Sequence, residues 1–421
     1  MGMSNQIAGR ACSGDAQLTS GVDMINGPPV DEGAQVRIRL ERDVLAEAVQ
    51  WAARSLPTRP SVPILAGLLV RATGGEVVMS SFDYETSAQI TVKAEVADDG
   101  VALVSGRLLA DIARALPNKP VDITADESRM ELVCGTARFT LQTLPVADYP
   151  ALPSMPEATG TIASDDFAKA VGQVVVAAGR DELLPVFTGV RMEIEGDTLS
   201  LLATDRYRMA LKEVPWRPRS TRSEGAALVP ARVLAETAKS MTSGTSVTLS
   251  LSSGASGDGL IGFEGTGTAG VREMTTRLLD GEFPKVRHLM SIQASVVVRA
   301  NTSEVVAAVK RVGLVAERNT SLRMIIGDGS ITFEAATGDQ AQAVEALEAI
   351  VEDTTGNGLS ITAAGFNPHY LSDALAALDA PYVQFSFTAP GKPCLLMGLD
   401  EIDGDPRLDY RHVIMLMRLP A

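Results

Sequence analysis

One pattern occurs three times in this chain, and it limits the possible folds more than any other feature. Val44-Leu45-Ala46-Glu47-Ala48-Val49, Phe167-Ala168-Lys169-Ala170-Val171 and Val305-Val306-Ala307-Ala308-Val309 each sit in a helix-patterned stretch just after a short strand-like run. A second echo follows each, at residues 108–116, 233–239 and 370–375. Ala48 and Ala170 lie 122 residues apart and Leu109 and Leu234 lie 125 apart; the next intervals, to Ala308 and to Leu371, are 138 and 137. Two markers that shift together define three copies of one domain. A period longer than that of solenoid repeats gives each copy its own core.

Each copy reads strand, helix, strands, helix, strands. In the first helix of copy one, Val44, Leu45, Ala48, Val49 and Ala52 form an apolar stripe at helical spacing, matched by Phe167, Val171, Val174 and Ala178 and then by Val305, Val309 and Val312. The second helix of copy one carries the stripe Leu108, Leu109, Ile112 and Leu116. Asn367-Pro368 places a capping side chain before a proline at the first helical position, and Val229-Pro230 opens the matching helix of copy two. Alternating runs at residues 89–96 and 246–251 read as strands between the helices. Two helices over antiparallel strands make each copy an α+β domain. Order is expected to begin at Val36-Arg37-Ile38-Arg39-Leu40, after a disordered extension over residues 1–35 that lacks hydrophobic periodicity. Asp148-Tyr149-Pro150 and Glu282-Phe283-Pro284 echo one another as extended linkers, giving domains at 36–153, 154–292 and 293–421.

The net charge of −15 argues against a duplex binder that relies on counterion release, but not against a protein that holds DNA by surrounding it. No apolar run approaches the ~18 residues of a membrane span, and the start shows no secretory pattern. The three cysteines, Cys12, Cys134 and Cys394, have no metal-like spacing, which suits a reduced cytoplasmic setting. Against the acidic balance, Arg107 and Arg114 share one face of a helix, and Arg232 and Lys239 repeat it in copy two. Copy three has His369 and Ala376 there, so its basic contribution falls to Lys310 and Arg311. Such a face reads either as a surface kept positive for phosphates or as an ordinary solvated face.

Nothing in the chain assembles into catalytic machinery. His369 with Asp373, and Asp409 with His412, lack a third ligand and are expected to be solvated or capping. Nucleophile-elbow, Walker and dinucleotide fingerprints are absent, and the glycine-rich stretch from Gly254 to Gly270 reads as a long hairpin loop. A protein without an enzymatic reaction, a metal or a cofactor is expected.

Several stretches carry a family resemblance: Arg59-Pro60-Ser61-Val62-Pro63-Ile64-Leu65, Ala203-Thr204-Asp205-Arg206-Tyr207-Arg208-Met209, Gly365-Phe366-Asn367-Pro368-His369-Tyr370 and the ending Met415-Leu416-Met417-Arg418-Leu419. They resemble the bacterial DNA polymerase sliding clamp, the beta subunit of the replicase. Ser81-Phe82-Asp83-Tyr84-Glu85 and residues 115–122 resemble its actinobacterial branch. The resemblance runs from about residue 36 to the C-terminus. It implies a head-to-tail homodimeric ring of six similar domains, with helices lining a hole for double-stranded DNA and sheets continuous across the domain boundaries. Arg59, Arg107, Arg114, Arg180, Arg232, Lys239, Lys310 and Arg311 are then candidates to face DNA.

The resemblance also implies a hydrophobic pocket between domains two and three for short linear motifs of the replicative polymerase, clamp loader, repair polymerases and ligase. By position its wall comprises Leu184, Phe187, Thr204, Arg206, Tyr207, Arg208, Met209, Pro284, His288, Leu289, Asn367, Tyr370, Pro393, Val413, Met415 and Met417. Apolar and methionine side chains accept aliphatic and aromatic anchors of several sequences. Three positions depart from the family pattern: Leu416 where proline is general, Met209 where leucine is usual and His288 where a basic residue is common. Divergence at the pocket admits an alternative, a paralogue whose altered pocket excludes a peptide inhibitor while keeping its cellular partners.

Overall fold

The computed structural model describes residues 35–220, 224–252, 259–316, 320–337 and 340–419. The expected N-terminal extension, apart from Gln35, and Cys12 lie outside the described residues. The three copies are evident in the helices: α1 (Arg42–Ala52), α2 (Gly106–Ala115), α3 (Ser164–Val175), α4 (Ala231–Ser240), α5 (Thr302–Val312) and α6 (Pro368–Ala377). They pack in pairs, α1 on α2, α3 on α4 and α5 on α6. Each pair lies on antiparallel strands, and a short strand leads into each first helix: Val36–Leu40, Ala158–Ala163 and Val296–Asn301.

The apolar stripes of the first helices are buried as expected, with Leu45, Ala48, Phe167, Val171, Val305 and Val309 all inaccessible or nearly so. Trp51 joins them; its ring fills the core while its indole N–H donates to Gln89 O at 2.9 Å. The stripe expected on α2 is narrower than the sequence suggested. Leu109, Ile112 and Ala113 are buried, but Leu108 is 50% exposed beside Arg107, because it lies about 100° round the helix from Leu109 and faces out. The glycine-rich segment is also corrected. Residues 253–258 lie outside the described residues, but Leu260–Thr266 is a full strand paired with Gly270–Arg277, so most of the described part of that segment is strand. Gly262 suits close packing there, since a Cβ on it would meet Met155 Sδ. Tyr149 likewise does more than extend a linker. It folds back so that its hydroxyl accepts from Phe82 N at 2.9 Å and donates to Gly67 O at 3.3 Å, and burial pushes its pKa up to about 12.

Strand pairing crosses from copy to copy. The last strand of copy two, Gly270–Arg277, pairs with Thr86–Lys93 of copy one, the strand beneath α1. The last strand of copy three, Tyr410–Ile414, pairs with Arg208–Pro215 of copy two, the strand beneath α3. Hydrogen bonding therefore runs through sheets of fourteen, nine and four strands among the described residues.

Side chains lock both joints. At the first, Arg272 ion-pairs with Glu47 of α1, lies 5.1 Å from the centre of the Trp51 ring and donates to Ser240 O at the end of α4. Gln89 Nε2 donates to Glu273 at 2.6 Å, and Ser87 and Thr275 share a bond of 2.6 Å. At the second, Gln173 Nε2 of α3 donates to Ala377 O of α6 at 2.6 Å, and Tyr410 Oη donates to Gln173 O at 3.2 Å.

His412 belongs to this second lock and is neither solvated nor capping. It is fully buried, with Nδ1 2.9 Å from Tyr410 Oη. Its supposed companion Asp409 instead pairs with Lys212. Burial, with the Arg208 charge nearby, pushes the His412 imidazole down from 6.5 to about 3. Between those values the unfolded chain takes up a proton that the folded chain refuses. The His412 contribution to stability is thus complete above pH 6.5 and drains away as pH falls toward 3. From pH 7 to pH 5 the wild type should lose about 2 kcal/mol more than His412→Gln. Urea unfolding at the two pH values measures this, and equal losses would contradict it.

Candidate functional site

At the second joint the chain makes a tight turn between the strands Thr198–Thr204 and Arg208–Pro215. Asp205 Oδ1 accepts from Tyr207 N and Arg208 N, both at 3.0 Å. Thr204 Oγ1 accepts from Arg206 N at 3.1 Å and donates to Arg208 O at 2.7 Å. These bonds hold Arg206 at φ 79°, a left-handed conformation that few non-glycine residues adopt.

The side chain of Arg208 turns inward and is 7% exposed as a residue. Its Nε reaches Asp205 Oδ2 at 3.0 Å and its Nη1 reaches Asp373 Oδ2 of α6 at 2.6 Å, while the guanidinium carbon lies 4.4 Å from the centre of the Tyr370 ring. One cation thereby ties copy two to copy three. Burial, with Asp205 nearby, raises the Tyr370 pKa. Asn367 caps α6 as the sequence indicated, its Oδ1 accepting from His369 N at 3.0 Å and Tyr370 N at 3.2 Å. The C-terminal segment straps across the joint, with Met415 N donating to Tyr207 O and Met417 N to Gly365 O, both at 2.8 Å.

These elements surround a cavity of about 570 Å³ lined by residues 178–181, Leu184, Phe187, residues 205–208, His369, Tyr370 and Asp373. Of the pocket residues inferred from sequence, it brings together Leu184, Phe187, Arg206, Tyr207, Arg208 and Tyr370. Met209 and Val413 are register partners buried in a separate apolar cluster across the same joint, with Phe283, Met290 and Leu395, and Leu289 and Met415 pack against it. Thr204 and Asn367 act through the backbone bonds above. Pro284 and the exposed His288 lie on the segment leading through the short helix Arg287–Met290. Pro393 precedes the strand Cys394–Leu399, and Met417 forms its bridge to Gly365. The sequence reading missed Asp205 and Asp373 as the anchors of Arg208. Asp205 stood inside the motif, but the pairing of Arg208 across 165 residues with Asp373 carries no local signal.

The basic candidates separate into two groups. Arg107 donates to Pro57 O at 2.9 Å, Arg114 meets Asp111 at 3.5 Å, Arg232 meets Glu236 at 3.2 Å, and Arg311 pairs with Glu345. Arg59, Arg180, Lys239 and Lys310 are exposed, with no ion pair among the described residues.

Three α+β units joined edge to edge, with paired helices on continuous sheets and a cavity at one joint, define a DNA-clamp fold. Models of the N-terminal, central and C-terminal domains of the DNA polymerase III beta subunit match residues 36–153, 161–285 and 288–418. The chain belongs to this family: it is a sliding clamp, a processivity factor of DNA replication without catalysis of its own. It is 53% identical over 384 residues to the beta sliding clamp of Streptomyces coelicolor, covering 91% of this chain and 100% of that protein. It is 40% identical over 383 residues to the beta sliding clamp homolog GriR of Streptomyces muensis, covering 91% and 99%. The fold matches the DNA polymerase III subunit beta of Pseudomonas aeruginosa with a TM-score of 0.80 at 24% identity, over 91% of this chain and 100% of that one, and a further structure of that clamp is bound to griselimycin. No helix among the described residues is long and apolar enough to cross a membrane.

Because Asn367 fixes the first turn of α6, Asn367→Ala should cost about 1 kcal/mol of stability. A thermal melt measures it, and an unchanged transition would show that the cap does not hold Tyr370 in place.

Proposed function

We propose that two copies close head to tail into a ring around double-stranded DNA, and that the cavity at the second joint docks partner peptides. The observation that carries the ring is a pair of open strand edges that are the counterparts of those joined within the chain. The strand Ala341–Glu348 beneath α5 pairs only with Ser330–Thr337 among the described residues. It is the counterpart of the two strands that receive a neighbouring copy. The last strand of copy one, Ala137–Leu144, touches Gly100–Ser105 only through Leu103 and Val104 and is otherwise open on that side. It is the counterpart of the two strands that are received. Joining these ends repeats the intrachain joints and leaves neither edge unpaired.

Side chains favour that contact. On one edge Phe139 and Leu141 face inward, on the other Ala343 and Leu347 do so, and Leu314 nearby is 85% exposed. Arg138 would approach an edge bearing Glu345 and Glu348. Arg311 occupies the helical place that Trp51 and Gln173 hold in copies one and two, where each reaches its joint. Its bond to Glu345 supports a place at the subunit joint rather than on DNA. Arg59, Arg107, Arg114, Arg180, Arg232, Lys239 and Lys310 then face the duplex, through weak contacts that let the ring slide. The domains are 36–153, 154–292 and 293–421. The partners are the replicative polymerase, clamp loader, repair polymerases and ligase, in the cytoplasm beside the chromosome. An inhibitor-excluding paralogue is the second reading. The higher identity to the Streptomyces coelicolor clamp than to GriR favours the general clamp. Equal affinity of this protein and that clamp for griselimycin would remove the paralogue.

In sedimentation the wild type should run as a dimer and Phe139→Asp as a folded monomer; a dimeric variant would refute this edge as the interface. A fluorescent clamp-binding peptide from a replicative polymerase should bind saturably, with affinity reduced about 10-fold or more in Tyr370→Ala and Met415→Ala. No binding to the dimer would refute the docking role.

A further inference from the structure

We propose that Arg206 is a carboxylate receptor at the mouth of the docking cavity, so that the pocket selects peptides with an acidic residue beside their apolar anchor. This rests on the docking role proposed above and specifies what the mouth of the pocket selects. Arg206 is exposed, and its guanidinium carbon lies 5.6 Å from the centre of the Phe187 ring and 5.7 Å from that of Tyr207. No ion pair engages it among the described residues, although the chain carries 52 carboxylates against 37 Lys and Arg. The three carboxylates lining the cavity are committed elsewhere. Asp205 and Asp373 hold Arg208, and Asp181 Oδ1 accepts from Leu183 N at 3.0 Å.

The left-handed backbone does not itself account for the arginine. Copy one has the same turn, with Asp83 Oδ1 accepting from Glu85 N at 3.0 Å and Thr86 N at 2.7 Å and with Tyr84 at φ 75°. The turn belongs to the repeated hairpin, while the guanidinium is particular to the copy that bears the cavity. A guanidinium laid on aromatic rings keeps its N–H edge open for a two-pronged bond to a carboxylate, and the rings exclude water from one side of that bond. Arg180 lines the same cavity without an ion pair and strengthens the local field.

The test uses the full-length dimer and two fluorescent versions of the replicative-polymerase peptide, which differ only in Asp or Asn beside the apolar anchor. Anisotropy titrations should give the Asp form about 10-fold tighter binding at low salt, a preference that shrinks at high salt. In Arg206→Gln the preference should fall to about 2-fold or less, with binding of both peptides still measurable, and Arg180→Gln should keep most of it. Equal binding of the two peptides to wild type overturns the proposal and leaves the docking role standing. Loss of both peptides in Arg206→Gln, or loss of the preference only in Arg180→Gln, overturns the assignment to Arg206. Failure of both peptides on wild type removes the docking role and this proposal with it.

Discussion

The whole molecule depends on backbone hydrogen bonding across sheet edges. A strand edge presents a row of unpaired N–H and C=O groups that must be covered, paired or made hostile to pairing. This chain pairs two such edges internally, handing Gly270–Arg277 to Thr86–Lys93 and Tyr410–Ile414 to Arg208–Pro215. Three equal copies in a row leave one donor edge at one end and one acceptor edge at the other. The two edges are not paired with one another within the chain, whereas two chains related by a two-fold axis can satisfy both. The proposed ring thus repeats, between chains, the pairing of counterpart strands seen twice within one, and the acidic balance of the chain is no obstacle to it.

The joints share a backbone plan but differ in their side chains. The first is held by Arg272 between Glu47 and Trp51, the second by Gln173, Tyr410 and buried His412. The second carries the cavity, and the same strand that makes the joint begins with Arg208, whose two carboxylates come from the two copies. Domain attachment and the shape of the cavity are therefore parts of one polar network. A change that loosens Arg208 should be felt in both.

Much of this was legible in the sequence because it is periodic or local. The stripes containing Phe167 and Val305 and the Asn367 cap rest on spacings within a few residues, the threefold echo rests on a repeated period, and the structure places them as read. The misses share a different cause. Leu108 was assigned by hydrophobicity although its angle on the helix turns it outward, and glycine composition hid the strand Leu260–Thr266. His412 looked polar and exposed, yet it is buried by strands drawn from two copies. The motif residues found one wall of the cavity, but the Arg208–Asp373 and Arg311–Glu345 pairs are tertiary and leave no trace in local pattern.

The most direct test of the central claim is topological. The protein, loaded by a bacterial clamp loader onto a nicked circular plasmid, is followed by gel filtration before and after a single cut that makes the DNA linear. A ring held by closure rather than by charge stays with the circle through a high-salt wash and leaves once the DNA has ends. Release from the intact circle by salt, or retention on the linear form, would contradict the account.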